Sequence, residues 1–177
     1  PKRLSILALG GHLKNTISFT QDNNIFISQH IGDLETYEAI ESFKEVINSL
    51  EELYEFKPEV IAFDMHPGYT STKFGEELAR EREVTIHRVQ HHHAHIASCM
   101  CENDLHGEVL GVAWDGVGYG SDGHAWGGEF LIADYKKFER YAHFLPFPLP
   151  GGEAAIRKAS HSALGLLYTT FGDEMLN

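Results

Sequence analysis

The chain has 177 residues, 42% hydrophobic and 23% charged: enough apolar material for one compact domain with a real core, and not a disordered, collagen-like or low-complexity composition. Acidic residues outnumber basic ones 26 to 14, and the formal charge of -12 has the wrong sign for a protein that grips a nucleic-acid backbone. No apolar run approaches the roughly 18 residues of a membrane-spanning helix, and Cys99 and Cys101 stand too close for an ordinary structural disulfide, so a reducing cytoplasm fits.

Residues 4–9 form a short apolar run, and residues 15–20 and 24–29 are rich in β-formers on either side of the turn-like Gln21-Asp22-Asn23-Asn24. Three consecutive strands are expected. From 36 to 56 the apolar positions Tyr37, Ile40, Phe43, Val46, Ile47, Leu50, Leu53 and Tyr54 step by three and four, which predicts an amphipathic helix ended ahead of Pro58. A buried-type strand at 60–63, a helix at 72–82 and a buried strand at 84–89 follow, and a histidine-rich helix opens near His91. After Gly107 come a strand at 109–114, a glycine-rich turn through 115–123 and strands at 126–134 and 138–144. A proline-rich loop at 145–152 leads to a helix at 153–171 with Ala, Ile and Leu on one face.

The order βββαβαβα is thus followed by a second βββα. That recurrence resembles the duplicated ribonuclease-H-like halves of the actin, sugar-kinase and Hsp70 class, an α/β architecture in which nucleotide lies in a cleft between the halves. Residues 1–106 are expected to form the first subdomain and residues 107–177 the start of a truncated second one. The chain opens on Pro1 rather than Met and ends in Gly-Asp-Glu-Met-Leu-Asn directly after an apolar helix pattern, so a piece of a longer protein is expected.

Five of the twelve histidines lie in Ile86-His87-Arg88-Val89-Gln90-His91-His92-His93-Ala94-His95. On a helix His91 and His95 sit one above the other and can aim two imidazole nitrogens at one ion. His92 with His95 is a second possible pair, whereas His93 projects elsewhere. The plain alternative is a solvated or core-capping histidine group; a purification tag is disfavoured by the internal position and by Ala94. A third donor is needed, and the nearest candidate is Asp115, where the strand at 109–114 ends and where α/β sheets commonly turn carboxylates toward a crevice. Its alternative is an Asx turn before Gly116. Two imidazoles and a carboxylate leave positions open for substrate, and suit zinc or ferrous iron without choosing between them.

Glycines let backbone N–H groups crowd around a phosphate, which makes Gly116, Gly118 and Gly120 candidates in the segment 115–123. A similar junction holds Gly10 and Gly11, with Lys14 adding positive charge; its alternative is an ordinary hairpin with an exposed lysine. Asp64 and His66 follow another buried strand and are placed to orient substrate or to act as acid and base, with loop capping as the equal alternative. Cys99 and Cys101, at i and i+2 on a helix, point about 200° apart and read as structural thiols. The acidic helix at 35–55 reads as a solvated face.

The motifs Gly10-Gly11-His12-Leu13-Lys14-Asn15-Thr16, Ser28-Gln29-His30-Ile31-Gly32-Asp33-Leu34, Val89-Gln90-His91-His92-His93-Ala94-His95-Ile96-Ala97, Ala113-Trp114-Asp115-Gly116 through Gly123, and Trp126-Gly127-Gly128-Glu129-Phe130 occur in this order. Together they closely resemble HypF, the family of carbamoyltransferases that mature nickel–iron hydrogenases. The resemblance covers essentially the whole chain but only part of HypF, which as a family also has acylphosphatase-like, zinc-finger-like and carbamoyl-adenylate-forming domains upstream. It implies that carbamoyl phosphate and ATP yield carbamoyl-adenylate. This domain would then move the carbamoyl group to the C-terminal cysteine of HypE, where dehydration produces the precursor of the cyanide ligands.

Similarity to the related tRNA threonylcarbamoyl-transfer enzymes implies that His91, His95 and Asp115 hold the metal, a Lewis acid toward the carbamoyl carbonyl. The turns at 10–14 and 116–120 would cradle the adenylate. The sequence departs from the family pattern at Val117, where Thr is common, and at Lys158-Ala159, where Glu-Pro is common. A further aspartate ligand and another nucleotide loop are expected after Asn177, so the chain alone is expected to bind metal weakly and to lack transferase activity. Within the same architecture a tRNA threonylcarbamoyl transferase is the competitor, disfavoured by Trp114-Asp115-Gly116 and the triple histidine. A different class of alternative is a non-catalytic docking module whose histidines store metal. The expected partners are a HypE-like protein, carbamoyl phosphate and ATP, without nucleic acid or membrane.

Overall fold

The computed structural model describes residues 3–176. Pro1, Lys2 and Asn177, on which the expectation of a longer protein partly draws, lie outside the described residues, as do the side chains of Glu153, Ile156, Met175 and Leu176. Alternating apolar residues build the first sheet. Strands β1 (Ile6–Ala8), β2 (Ser18–Gln21) and β3 (Asn24–Ile27) pair antiparallel, and β4 (Val60–Asp64) and β5 (Thr85–Val89) add in parallel on the other side of β1. The order is β3-β2-β1-β4-β5. Leu7 stands beside Phe19 on one side and Ile61 on the other, so one face of the sheet carries a continuous apolar row.

Two helices cover that row. Helix α1 (Tyr37–Leu53) starts where the Thr36 side chain accepts a hydrogen bond from the Ala39 N–H, and it buries Phe43 and Ile47. The predicted stripe is longer than the buried one: Tyr37 and Leu53, at its two ends, are 73% and 74% exposed. Parallel strands need a crossover, and α2 (Thr70–Arg82) supplies it between β4 and β5. A Cβ added at Gly75 would stand 2.5 Å from Phe63 Cδ1 and 2.9 Å from Leu9 Cδ1, so the absence of a side chain lets α2 lie close against β4 and the residue that follows β1. Leu7, Leu9, Phe19, Phe43, Ile61 and Phe63 are all at most 1% exposed and form the centre of this core.

The strand before the histidines departs from expectation. Thr85, Ile86, His87 and Arg88 are exposed rather than buried, because β5 is the edge of the sheet with only β4 beside it, and Arg88 reaches out to Glu76 at 2.7 Å. Helix α3 (His91–Glu102) follows at once.

Strands β6 (Val109–Tyr119), β7 (Ala125–Ala133) and β8 (Phe138–His143) form a second sheet in that order. The expected turn through 115–123 is corrected here. Asp115, Gly116 and Gly118 continue strand β6, and only the end of the segment turns, where Gly120 N–H donates to His124 O at 2.8 Å and Gly123 N–H to Gly120 O at 3.0 Å. Glycine density mimicked a turn; the segment is extended strand, and at Gly118 other chain elements approach it closely. Within this sheet buried Glu129 accepts from Arg140 Nε at 2.6 Å and Nη2 at 2.9 Å, and Arg140 lies 4.0 Å over the Trp126 ring. Between β7 and β8 the backbone N–H groups of Lys136 and Lys137 donate to Asp134 and hold its carboxyl below the usual carboxylate range.

The single helix expected at 153–171 is two. Helix α4 (Glu153–Arg157) ends at Lys158, whose backbone is extended at φ -125° and ψ 101°, and α5 (Ala159–Phe171) starts anew before a last 3-10 turn at Gly172–Leu176. The described residues cluster into two units, one of residues 3–105 with 118–125 and one of residues 106–117 with 126–176.

Candidate functional site

The parallel register of β4 and β5 sets Asp64 beside Val89, so the last carboxylate of one strand stands next to the first turn of α3. Gln90 anchors that turn. Its side-chain carbonyl accepts from His93 N–H at 2.8 Å, and its amide nitrogen faces His92 Nδ1 at 3.1 Å and donates to Tyr119 O at 3.2 Å. With the helix start fixed, His91 Nδ1 meets Asp64 Oδ2 at 2.7 Å, and one turn on His95 Nε2 lies 3.3 Å from His91 Nε2. Because a carboxylate only accepts, His91 Nδ1 is the donor, and its Nε2 is left as the lone-pair nitrogen. Two ring nitrogens converging from adjacent helical turns, one oriented by a buried carboxylate, fit the donor set of a divalent metal.

Of the two pairings open on the helix, the geometry brings His91 and His95 together. His92 is 0% exposed and faces inward. Gly118 explains the fit: a Cβ there would stand 2.6 Å from His92 Cε1 and 2.8 Å from His91 Cδ2, so only glycine lets that part of β6 press on both histidines. Asp115 belongs to the second unit, where its Oδ1 accepts from Gly116 N–H at 2.7 Å.

Asp64 is 6% exposed and occupied on both oxygens, since Oδ1 accepts from His66 N–H at 2.8 Å. Gly68 N–H in turn donates to His66 Nδ1 at 3.0 Å. The His66 ring stacks on Tyr69 with centroids 4.1 Å apart and planes 7° apart, and it meets Tyr119 edge-on at 5.1 Å. Tyr69 also stacks on His12 at 5.3 Å. Across β1, the loop at 10–15 is braced by Asn15, 1% exposed, whose Nδ2 donates to Leu9 O at 2.8 Å and Gly11 O at 2.7 Å. Gly10 sits at φ +65°, and Lys14 is exposed with its N–H donating to Asp33 Oδ1 at 2.8 Å. Gly120 is engaged in the turn already described.

Sequence patterning left Tyr69, Gln90 and the bracing role of Asn15 unremarked. A polar residue directly ahead of a helical histidine run is a capping signal for Gln90; Tyr69 carried none. Cys99 and Cys101 are exposed free thiols on α3. Among the described residues no helix is long and apolar enough to cross a membrane.

Family models match both parts of the chain: one described as the HypF Kae1-like domain over residues 1–102, and one described as carbamoyltransferase, Kae1-like domain, second subdomain, over residues 111–177. The chain belongs to the HypF family. It is 44% identical over 175 residues to carbamoyltransferase HypF of Synechocystis, covering 98% of this chain and 22% of that protein. To HypF2 of Cupriavidus necator it is 42% identical over 164 residues, covering 93% of this chain and 20% of that protein. A crystal structure of full-length HypF in the phosphate- and nucleotide-bound form superposes with a TM-score of 0.89 at 48% identity, over 94% of this chain and 22% of that one. YeaZ from Pseudomonas aeruginosa, at 12% identity and a TM-score of 0.54 over 79% of this chain and 65% of that one, shares the fold, an actin- and Hsp70-like ribonuclease-H type. The chain thus spans about a fifth of the length of these two HypF proteins.

Proposed function

We propose that this chain carries the carbamoyl-transfer step of a HypF enzyme in the cytoplasm. The carbamoyl group passes from carbamoyl-adenylate, made elsewhere in the full protein from carbamoyl phosphate and ATP, to the C-terminal cysteine of a HypE-like partner. The product is the precursor of the cyanide ligands of nickel–iron hydrogenase. The observation that carries this reading is the Asp64–His91–His95 chain of contacts in a HypF-family frame. Such a carboxylate–histidine arrangement orients a metal-binding imidazole and raises its basicity.

His91 and His95 would hold one divalent ion, zinc or iron, with Asp115 as the carboxylate ligand. Asp115 enters through the likeness of Trp114-Asp115-Gly116 to the family pattern, in the part of the chain that the second carbamoyltransferase subdomain model matches. A metal so held supplies Lewis-acid polarisation of a carbonyl. The chain's own residues do the rest. Asp64 keeps His91 in the tautomer with a lone pair at Nε2. The braced loop with Gly10, Gly11 and Lys14 offers backbone and ammonium groups to phosphate, and Gly116, Gly118 and Gly120 extend the nucleotide side. The full-length HypF solved with nucleotide supports a nucleotide substrate for this one.

The test is metal content and carbamoyl transfer in the full-length protein, with His95→Ala and Asp115→Ala beside the native sequence. About one ion per chain, lost together with transfer in both variants, is the expected result. Native protein that transfers carbamoyl without metal, or variants that keep both, would overturn the site. A docking module predicts partner binding untouched by either substitution and no transfer at all.

A further inference from the structure

We infer that His66 serves the transfer as a fixed hydrogen-bond donor to an oxygen of the carbamoyl substrate, and not as a proton-exchanging acid or base. The inference deepens the carbamoyl-transfer reading and rests on it. Four contacts set the residue and its ring. Gly68 N–H donates to His66 Nδ1 at 3.0 Å, a bond that exists only when Nδ1 carries a lone pair, so the ring's proton is on Nε2. His66 N–H is tied to Asp64 Oδ1 at 2.8 Å, the same carboxylate whose other oxygen holds His91. The ring plane is set by the Tyr69 stack, 4.1 Å away and 7° from parallel, and by the edge of Tyr119 at 5.1 Å.

Position, plane and tautomer are therefore all determined by the surrounding chain. Nδ1 is turned back to its own loop, which leaves Nε2–H, away from Gly68, as the ring's one donor. A donor held this way costs no reorganisation when charge develops on a substrate oxygen, which is the condition under which such donors matter most. A general base needs a lone pair at the outward nitrogen, and the Gly68 bond puts a proton there instead. During transfer the cysteine attacks as its thiolate, its proton already released to solvent; the sulfur–carbon bond forms and the bond from the carbamoyl carbon to the adenylate phosphate oxygen breaks, the electron pair departing with that oxygen, while the His66 Nε2–H donates a hydrogen bond without leaving the ring. One carboxylate, Asp64, thus indexes both this donor and the metal-facing His91.

The experiment compares His66→Gln, His66→Phe and His66→Ala in the full-length protein, measuring kcat and KM for carbamoyl transfer from pH 5.5 to 9. Glutamine keeps an outward N–H donor; phenylalanine keeps the stack on Tyr69 and loses the donor. The expected pattern is kcat within about tenfold of native for His66→Gln, about 100- to 1,000-fold lower for both His66→Phe and His66→Ala, and parallel pH profiles for native and His66→Gln. His66→Gln as inactive as His66→Ala, His66→Phe restored to native rates, or an acidic limb of the native profile that vanishes in His66→Gln would each overturn the inference while leaving the transferase reading intact. Native protein without carbamoyl transfer would overturn both.

Discussion

Asp64 answers to two donors at once, the backbone N–H of His66 and Nδ1 of His91, from a position 6% exposed to solvent. An amide in its place presents one oxygen and one NH2 group, so either one bond fails or His91 must move its proton to Nε2, the nitrogen a metal needs. Asp64→Asn is therefore expected to weaken metal binding about 10- to 100-fold and to lower stability by about 1–3 kcal/mol, read by metal titration and by urea unfolding. Unchanged metal affinity with lowered stability would reduce Asp64 to a loop cap. The residue was visible in the sequence as a carboxylate at a strand end, whereas its partner was not. Which histidine it meets depends on the register that sets Asp64 beside Val89, and no local period encodes a pairing between strands. The i, i+4 spacing of His91 and His95, by contrast, is a property of the helix itself and was legible directly.

At the scale of elements, the instructive case is β6. Glycine is depleted in strands, so a segment with Gly116, Gly118 and Gly120 read as a turn. Two of those glycines have different neighbours. A methyl group at 118 would stand 2.6 Å from the wholly buried His92, while one at 116 would meet nothing within 4 Å. Gly118→Ala is expected to cost about 1–3 kcal/mol by overpacking and to displace His91, whereas Gly116→Ala changes stability by less than about 0.5 kcal/mol. Parallel thermal melts of the two variants decide it; equal effects would mean that β6 does not bear on α3 as described. The break at Lys158 was illegible for a different reason. Neither proline nor glycine marks it, and the ends are joined by Ser162 Oγ donating to Ala155 O at 2.8 Å, a contact between residues of two separate helices.

For the molecule as a whole, element order and helix periodicity carried most of the fold, because a β1–β5 sheet with helical crossovers follows from which segments are apolar and how they alternate. Fold does not settle function here: YeaZ shares this architecture at 12% identity. Shared architecture leaves open what kind of partner a surface meets, and the charge of -12 bears on that. At about 0.15 M ionic strength a strongly acidic chain gains nothing from counterion release on a phosphate backbone, and like charge opposes the encounter. The expected result is no detectable association with fluorescent tRNA by anisotropy at that salt, and none gained on dilution toward about 0.05 M, where a true backbone binder would tighten steeply. Binding that strengthens as salt falls would reveal a basic groove that net charge conceals, and with it a nucleic-acid contact that the acidic composition argues against.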